Sequence, residues 1–421
     1  MDTTLHTAIA KTKFRIVPLM LVLYVLAFLD RSNIGFAKET YMIDVGLSEE
    51  AFALGAGIFF LVYAFLGAPA NLCMKKFGAK RWMCITTLAW GAISTCMGFA
   101  DTEAKFLCVR MALGVAEAGF FPGMIYLATL WFPKEVRSGV MGLFYIGVPI
   151  AMIFGSPLSG ALLEMHGFLG HAGWFWMFVI EGLLAVVAGV FVYFYLDDSP
   201  QKARFLDSNE KQALMQALAN EEQSKTVSRL LDVVKIPALW GCALVYMIIQ
   251  IGVYGYTFYL PTQIASILGS EVNFTSSLVT AIPWVASFIG TLAITAYADK
   301  VQKQHSIAII TLFLAAVGLL ACVWFGAVMA IACLCLVAIG VIAVQPLYWI
   351  IPQGHLGGAA LAGGIGLINA FGAFGSFLAP MIRTYANTAF ASDKAGVLTL
   401  GALVLLGVFL LIVLQKRSSY E

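Results

Sequence analysis

Residues 15–36 read RIVPLMLVLYVLAFLDRSNIGF. From Ile16 to Leu29 the stretch carries no charge. Asp30 and Arg31 then stand side by side, and the apolar pattern resumes at Ile34. An α-helix needs about 20 apolar residues to cross the roughly 30 Å of hydrocarbon in a bilayer. This segment has that length. It also carries an acid and a base at a depth where lipid would reject either one alone.

The pattern recurs along all 421 residues, which are 61% hydrophobic and 11% charged. Soluble domains carry about 25% charged residues, so too little polar side chain is present to cover a water-facing surface. Twelve apolar runs fall at about 15–36, 52–74, 81–99, 104–130, 138–163, 173–196, 237–261, 274–298, 306–325, 327–350, 357–382 and 395–415. Only Phe325, Gly326 and Ala327 separate the ninth from the tenth, but joined they would be far too long for one crossing. A membrane β-barrel would need alternating stretches of about 10 residues, and the sequence lacks them. The first run leads into Asp30 and Arg31 rather than a small-residue cleavage site, so no cleaved signal peptide is expected. The eight cysteines sit in or beside apolar runs and read as packing residues, not as disulfides or metal ligands. A net charge of +2 points to no nucleic-acid partner.

Loop charges predict orientation. With the N-terminus in the cytoplasm, nineteen Lys and Arg lie on the cytoplasmic side and four (Lys38, Lys105, Arg383 and Lys394) on the outer side. Both termini are then cytoplasmic, as an even number of spans requires. The one extended polar stretch, 197–235, divides the chain into an N-terminal bundle (1–196) and a C-terminal bundle (236–421). Within it NEKQALMQALA, from Asn209 to Ala219, predicts a short amphipathic helix at the membrane surface. The expected fold is all-α and integral to the membrane: twelve transmembrane helices in two six-helix bundles, the organisation of a two-bundle transporter.

The intramembrane charges carry the functional expectation. Asp30 and Arg31 lie in segment 1, and Arg110 and Glu117 in segment 4. Each costs about 2.5–3.5 kcal/mol at a helix centre, so each needs a partner. Arg110 and Glu117 are seven apart and share a helix face, whereas Asp30 and Arg31 point about 100° apart. The expected pairs are Asp30 with Arg110 and Arg31 with Glu117. Such pairs serve either as fixed ties between helices or as a proton relay beside an anion site. Desolvation favours a neutral carboxyl and a nearby guanidinium favours the charged one. A buried arginine also offers a carboxylate a bidentate fork. Glu181 in segment 6 has no evident partner and is expected near the interface.

The C-terminal half offers Gln250, Tyr254, Tyr256, Tyr259, Trp284, Gln345, Tyr348, Trp349 and Asn369 instead of charges. These can hydrogen-bond a polyol and stack on its carbon face, or simply join helices. Asn369 stands among Gly363, Gly364, Gly366 and Gly372, which allow close approach to a cavity. Segment 5, GLFYIGVPIAMIFGSPLSG, mixes glycine with Pro149 and Pro157, a composition that permits tight packing and bends.

FLDRSNIGFA, RMALGVAEAGFFPG and WFPKEVR resemble the major facilitator superfamily over essentially the whole chain. More narrowly the chain resembles the anion:cation symporter family. Through EAGFFPGMIYL, SPLSGALLEMHG and GWFWMFVIEGLLA it is similar to the bacterial sugar-acid members, of the rhamnonate and tartrate type. The resemblance implies proton-driven uptake of an organic anion by alternating access in a bacterial inner membrane, by a functional monomer without cofactor or metal. It implies that Arg31 holds the substrate carboxylate, that Asp30 and Glu117 are the protonatable pair with Arg110 as partner to Asp30, and that Tyr63, Trp349 and Asn369 contact substrate. Gln250, Tyr254 and Tyr348 complete the candidate substrate set. The chain departs from the superfamily pattern Gly-x-x-x-Asp-x-x-Gly-Arg after segment 2, where Asn71 and Lys75 replace the first Gly and the Asp. It departs again after segment 8, where Gln302 replaces Gly. The polar residue usual in segment 5 is Val148 here. The alternatives are a dicarboxylate or aromatic-acid symporter, or an anion exchanger. A membrane enzyme or sensor is disfavoured, since all five histidines lie in loops or termini and no soluble signalling domain is present.

Overall fold

With no water in hydrocarbon to satisfy backbone groups, a spanning segment must close its hydrogen bonds internally, and a helix does so. The computed structural model describes residues 3–222, 237–355 and 358–418. Among them twelve long helices follow one another: α1 (Thr3–Val45), α2 (Glu49–Phe77), α3 (Ala79–Met97), α4 (Glu103–Trp131), α5 (Lys134–Leu163), α6 (Gly173–Tyr195), α7 (Pro237–Thr257), α8 (Phe274–Val301), α9 (Gln304–Ala321), α10 (Ala327–Tyr348), α11 (Gly358–Phe390) and α12 (Asp393–Ser418). The ninth and tenth segments are separate helices, as expected. Eleven of the twelve are long and apolar enough to cross a membrane by length and composition. The exception is α3, which carries Lys80 and Arg81 in its first turn and hydroxyls at Thr86, Thr87, Ser94 and Thr95. Three of those hydroxyls bond carbonyls one turn back, at Trp82, Met83 and Gly91, so they cost little inside the bundle.

Four of these spans are interrupted, each one turn before a proline. Glu103–Glu117 stops short of Phe120–Trp131, where Pro122 opposes the carbonyl of Ala118. Lys134–Tyr145 gives way to Gly147–Leu163, where Pro149 opposes Tyr145. α7 ends at Thr257, four residues before Pro261, and resumes as Leu260–Leu268. α10 ends at Tyr348, four before Pro352, and resumes as Ile350–His355. Proline has no N–H to donate, and its ring clashes with the carbonyl four residues back. The breaks therefore fall beside Glu117, Tyr145, Phe258 and Trp349.

The linker helix, Ser208–Glu222, lies within the expected stretch. It packs on the start of α1 rather than only on a membrane surface. Lys11 Nζ reaches Glu210 Oε1 at 2.6 Å, and Leu214 is fully buried. Lys225, Arg229 and Lys235 lie outside the described residues.

The two halves meet along α2 with α11 and along α5 with α8. Their tightest contacts sit at the end of the bundle away from the chain termini, here the far end. A Cβ at Gly35 of α1 would lie 2.5 Å from the Phe258 carbonyl oxygen, and one at Gly160 of α5 would lie 2.5 Å from Ser277 Cβ of α8. Toward the near end, Gly139 and Gly142 of α5 and Gly366 of α11 face open space. Far-end closure thus depends on a missing methyl at Gly35. Gly35→Ala should cost the closed state about 1–3 kcal/mol by overpacking and favour separation of the halves there. Ser277→Cys, in a background without the exposed Cys96 and Cys108, is the reporter. A membrane-impermeant maleimide should label it several-fold faster in the Gly35→Ala protein; equal rates would exclude this control of closure.

Candidate functional site

Arg31 and Glu117 meet as expected. Arg31 Nε donates to Glu117 Oε2 at 2.7 Å, and both side chains are buried, Glu117 completely. The 100° between neighbours on a helix sends Asp30 the other way, where it accepts a hydrogen bond from Ser94 Oγ of α3. Asp30 and Glu117 nonetheless act on each other as neighbouring carboxyls. Asp30 Oδ2 and Glu117 Oε1 are both buried acceptors with no bonded donor.

The expected direct pair of Asp30 with Arg110 is corrected. Arg110 donates instead to the backbone of α2, from Nε to Gly55 O at 3.0 Å and from an Nη to Ala56 O at 3.2 Å. Gly55 has no side chain to shield its carbonyl from α4, so the guanidinium reaches the backbone. Arg110 acts on Asp30 at longer range, as an electrostatic neighbour. The Phe59 ring lies 5.5 Å from the Arg31 guanidinium carbon and 5.2 Å from that of Arg110. It offers a π face to both cations and keeps water from between them.

Arg31 has donors to spare. Its Nη2 is buried with no bonded partner. The Tyr63 ring of α2 is 5.2 Å from the guanidinium, and the Tyr254 hydroxyl is an electrostatic neighbour of it. Tyr254 belongs to the other half. Its ring lies 4.3 Å from Phe60 and 6.5 Å from Phe28, so α7 reaches across the interface directly beside Arg31.

The other C-terminal candidates divide. Trp349 packs on Tyr246 at 4.9 Å, and its buried Nε1 has no bonded partner while facing the Tyr145 and Tyr246 side chains. Gln250 Oε1 is likewise buried and unbonded, and Asn369 is half-buried on α11. Tyr348 is turned away: its hydroxyl donates to Cys242 O at 2.7 Å and its ring stacks behind Tyr246. The structure thus makes Tyr348 a packing residue. Glu181, which has no evident partner in the sequence, finds one in the structure. It is buried, 3% exposed, and its Oε1 accepts from Ser159 Oγ at 2.7 Å.

Sequence reasoning missed Ser94, Tyr24, Tyr145 and Tyr246. Tyr24 stands seven residues before Arg31 on the same face of α1, and Tyr145 ends the first half of α5 at the Pro149 break. Those spacings were available signals. Nothing in the sequence singled out Ser94 among the hydroxyls of α3.

A family model described as the Major Facilitator Superfamily matches residues 20–380. The chain is 58% identical over 420 residues to the inner membrane transport protein RhmT of Escherichia coli strain K12, covering 100% of this chain and 98% of that one. It is 36% identical over 426 residues to a putative tartrate transporter of Agrobacterium vitis, covering 99% and 97%. A solved bacterial homologue of the human lysosomal transporter Spinster, described as inward-facing and occupied, superposes with a TM-score of 0.75 at 15% identity, covering 95% of this chain and 96% of that one.

The long-range role of Arg110 can be measured. Arg110→Gln should lower the thermal midpoint of the purified protein, because Asp30 loses its balancing cation. Combined with Asp30→Asn it should lower it by less than the separate losses together. The expected coupling is about 1 kcal/mol, within the usual range for interacting neighbours. Strict additivity in this double-mutant cycle would make Arg110 a tie to α2 alone.

Proposed function

As a member of the Major Facilitator Superfamily, the chain is a membrane transporter rather than an enzyme, and we propose that it imports an organic anion, a sugar acid or related hydroxycarboxylate, together with protons. The observation that carries this is the buried Nη2 of Arg31, which has no bonded partner and lies beside the Tyr63 ring at the interface of the halves. A guanidinium with an unused donor edge in a desolvated site fits a carboxylate better than any neutral ligand. Gln250, Trp349 and Asn369 bring polar edges and an aromatic face from the C-terminal half, which suits the hydroxyls and carbon face of a sugar acid. The printed name of one relative cited, a putative tartrate transporter, supports a hydroxycarboxylate. The excess of Lys and Arg at the near end favours a cytoplasmic near end, with both termini inside.

Charge balance links anion to proton. Asp30, Glu117, Arg31 and Arg110 sum to zero. A monovalent anion entering this water-poor site leaves it at −1, and one proton on a carboxyl restores neutrality. Glu117 is the natural acceptor, because the incoming carboxylate competes with it for the same guanidinium. The neighbouring Asp30 offers a second position to the same proton. With substrate and proton bound, the site is as neutral as it was empty, and the loaded protein can reorient across the low-dielectric membrane. A loaded but unprotonated site carries the penalty of an uncompensated charge.

Uptake into proteoliposomes across a panel of sugar acids, with and without an inward proton gradient, tests the assignment. Accumulation of at least one carboxylate above its outside concentration is expected only with the gradient. If no carboxylate accumulates under any gradient, the symport assignment is wrong. Glu117→Gln should keep counterflow of labelled substrate and lose gradient-driven accumulation; full accumulation in that variant would remove Glu117 from coupling. Arg31→Lys keeps the charge but loses the fork, and should weaken substrate binding roughly tenfold or more. Calorimetric affinity equal to that of the unaltered protein would exclude a bidentate carboxylate contact.

A further inference from the structure

Arg383 of α11 is a buried cation that no ion pair accounts for. It is 7% exposed. One Nη donates to the Gly255 carbonyl at 3.2 Å, and its Nε is buried with no bonded partner. Among the described residues no carboxylate lies within salt-bridge distance; Glu49 and Asp393 act on it only at longer range. Its guanidinium carbon sits 4.2 Å from the centroid of the Tyr259 ring. Lys38 of α1, from the other half, brings its Nζ to 5.2 Å from the same ring while holding Glu49 Oε1 at 2.8 Å. The Tyr259 hydroxyl is tied to α11 at Pro380 O and Thr384 Oγ1, both at 3.3 Å. One aromatic ring is thus approached by a cation from each half, at the far-end seam that the contact at Gly35 closes.

The position of this cluster relative to Arg31 is fixed by helix geometry. Lys38 follows Arg31 by seven residues, two turns of α1, and so stands about 10 Å farther out on the same face. Tyr259 follows Tyr254 by five residues, just past the break at Phe258. Lys38 therefore stands on the far-end side of Arg31, and Arg383 of α11 faces it across the Tyr259 ring. When the halves part there, Lys38 leaves with Glu49 as a neutral pair. Arg383 stays in the C-terminal half behind the Tyr259 ring, with an unbonded Nε and, among the described residues, no carboxylate within salt-bridge distance.

We propose that Arg383, assisted by Lys38, is a second anion site at the far mouth, which takes the carboxylate of an incoming organic anion before it passes to Arg31. This rests on the organic-anion function proposed above. A single cation at a mouth raises the local concentration of anions and speeds their capture, with an effect that salt screens.

Substrate uptake should be measured in right-side-out and inside-out membrane vesicles carrying the full chain. For substrate presented at the far end, Arg383→Gln should raise KM roughly tenfold, the scale of one charge-assisted hydrogen bond, with a much smaller change in Vmax. Arg383→Lys should recover most of the loss. Added salt should raise KM of the unaltered protein toward that of Arg383→Gln. For substrate presented at the near end, KM should change far less. A far-end KM that stays the same while Vmax moves would make Arg383 only a part of the far-end seal, and would overturn the proposal. An equal rise in KM from both ends would also overturn it, by placing the effect on the central site. If the unaltered protein carries no carboxylate in either kind of vesicle, the organic-anion function fails and this site with it. A carboxylate that is carried with KM indifferent to Arg383 sinks this site alone.

Discussion

The Arg31–Glu117 ion pair is the interaction on which the rest of the interior depends. Two opposite charges buried at bilayer depth are stable only together, and removing one partner leaves the other with a penalty of about 3–5 kcal/mol. That requirement holds α1 against α4. It also limits what can surround the pair. Phe59 covers the guanidinium groups of Arg31 and Arg110, Ser94 satisfies one oxygen of Asp30, and Gly55 opens a backbone carbonyl to Arg110. Each of these is a small adjustment of α2, α3 or α4 that lets charge exist where lipid would forbid it.

The two halves contribute unlike things to one cavity. The N-terminal half supplies the four charges and fixes them through hydrogen bonds and ion pairs. The C-terminal half supplies aromatic and amide side chains, and several of these keep a buried donor or acceptor unused: Trp349 Nε1 and Gln250 Oε1. Unused polar groups are costly in an interior, so they mark where a ligand with hydroxyls would repay the cost. The proline breaks are shared by both halves. α4 and α5 break beside Glu117 and Tyr145, and α7 and α10 break beside Phe258 and Trp349. A helix interrupted at the level of the site can swing one segment without dragging the whole span, which suits the transport proposed above.

Much of this was legible in the sequence, and the limits have physical causes. Twelve spans followed from run length, because the bilayer imposes one thickness on every crossing. Pairing of Arg31 with Glu117 followed from the cost of isolated charge, and the separate partners of Asp30 and Arg31 from the 100° step of a helix. Direct pairing of Asp30 with Arg110 did not hold. Backbone carbonyls of α2 competed for the guanidinium, and carbonyl acceptors leave no trace in a charge count. Tyr348 was chosen on residue type, but its hydroxyl had a closer acceptor at Cys242. Glu181 has no evident partner in the sequence; in the structure Ser159, a neutral hydroxyl on another helix, donates to it. In each case the partner is a backbone carbonyl or a hydroxyl, a neutral group that a count of charges does not register.

The same competition explains why coupling on the proposed function would run through Glu117 before Asp30. A substrate carboxylate at the free Nη2 of Arg31 draws on the same guanidinium that Glu117 already holds through Nε. One cation cannot fully neutralise two anions in a low-dielectric site, so the arrival of substrate weakens the hold on Glu117 at once. Asp30 is shielded from that change: its hydroxyl donor is on α3 and its balancing cation, Arg110, is anchored to α2. Asp30 feels the substrate mainly through Glu117, the neighbouring carboxyl. The order of events is therefore set by which carboxyl shares its cation with the substrate. A divalent anion, which brings one more negative charge to the same site, would require both carboxyls to take a proton where a monovalent one requires a single exchange.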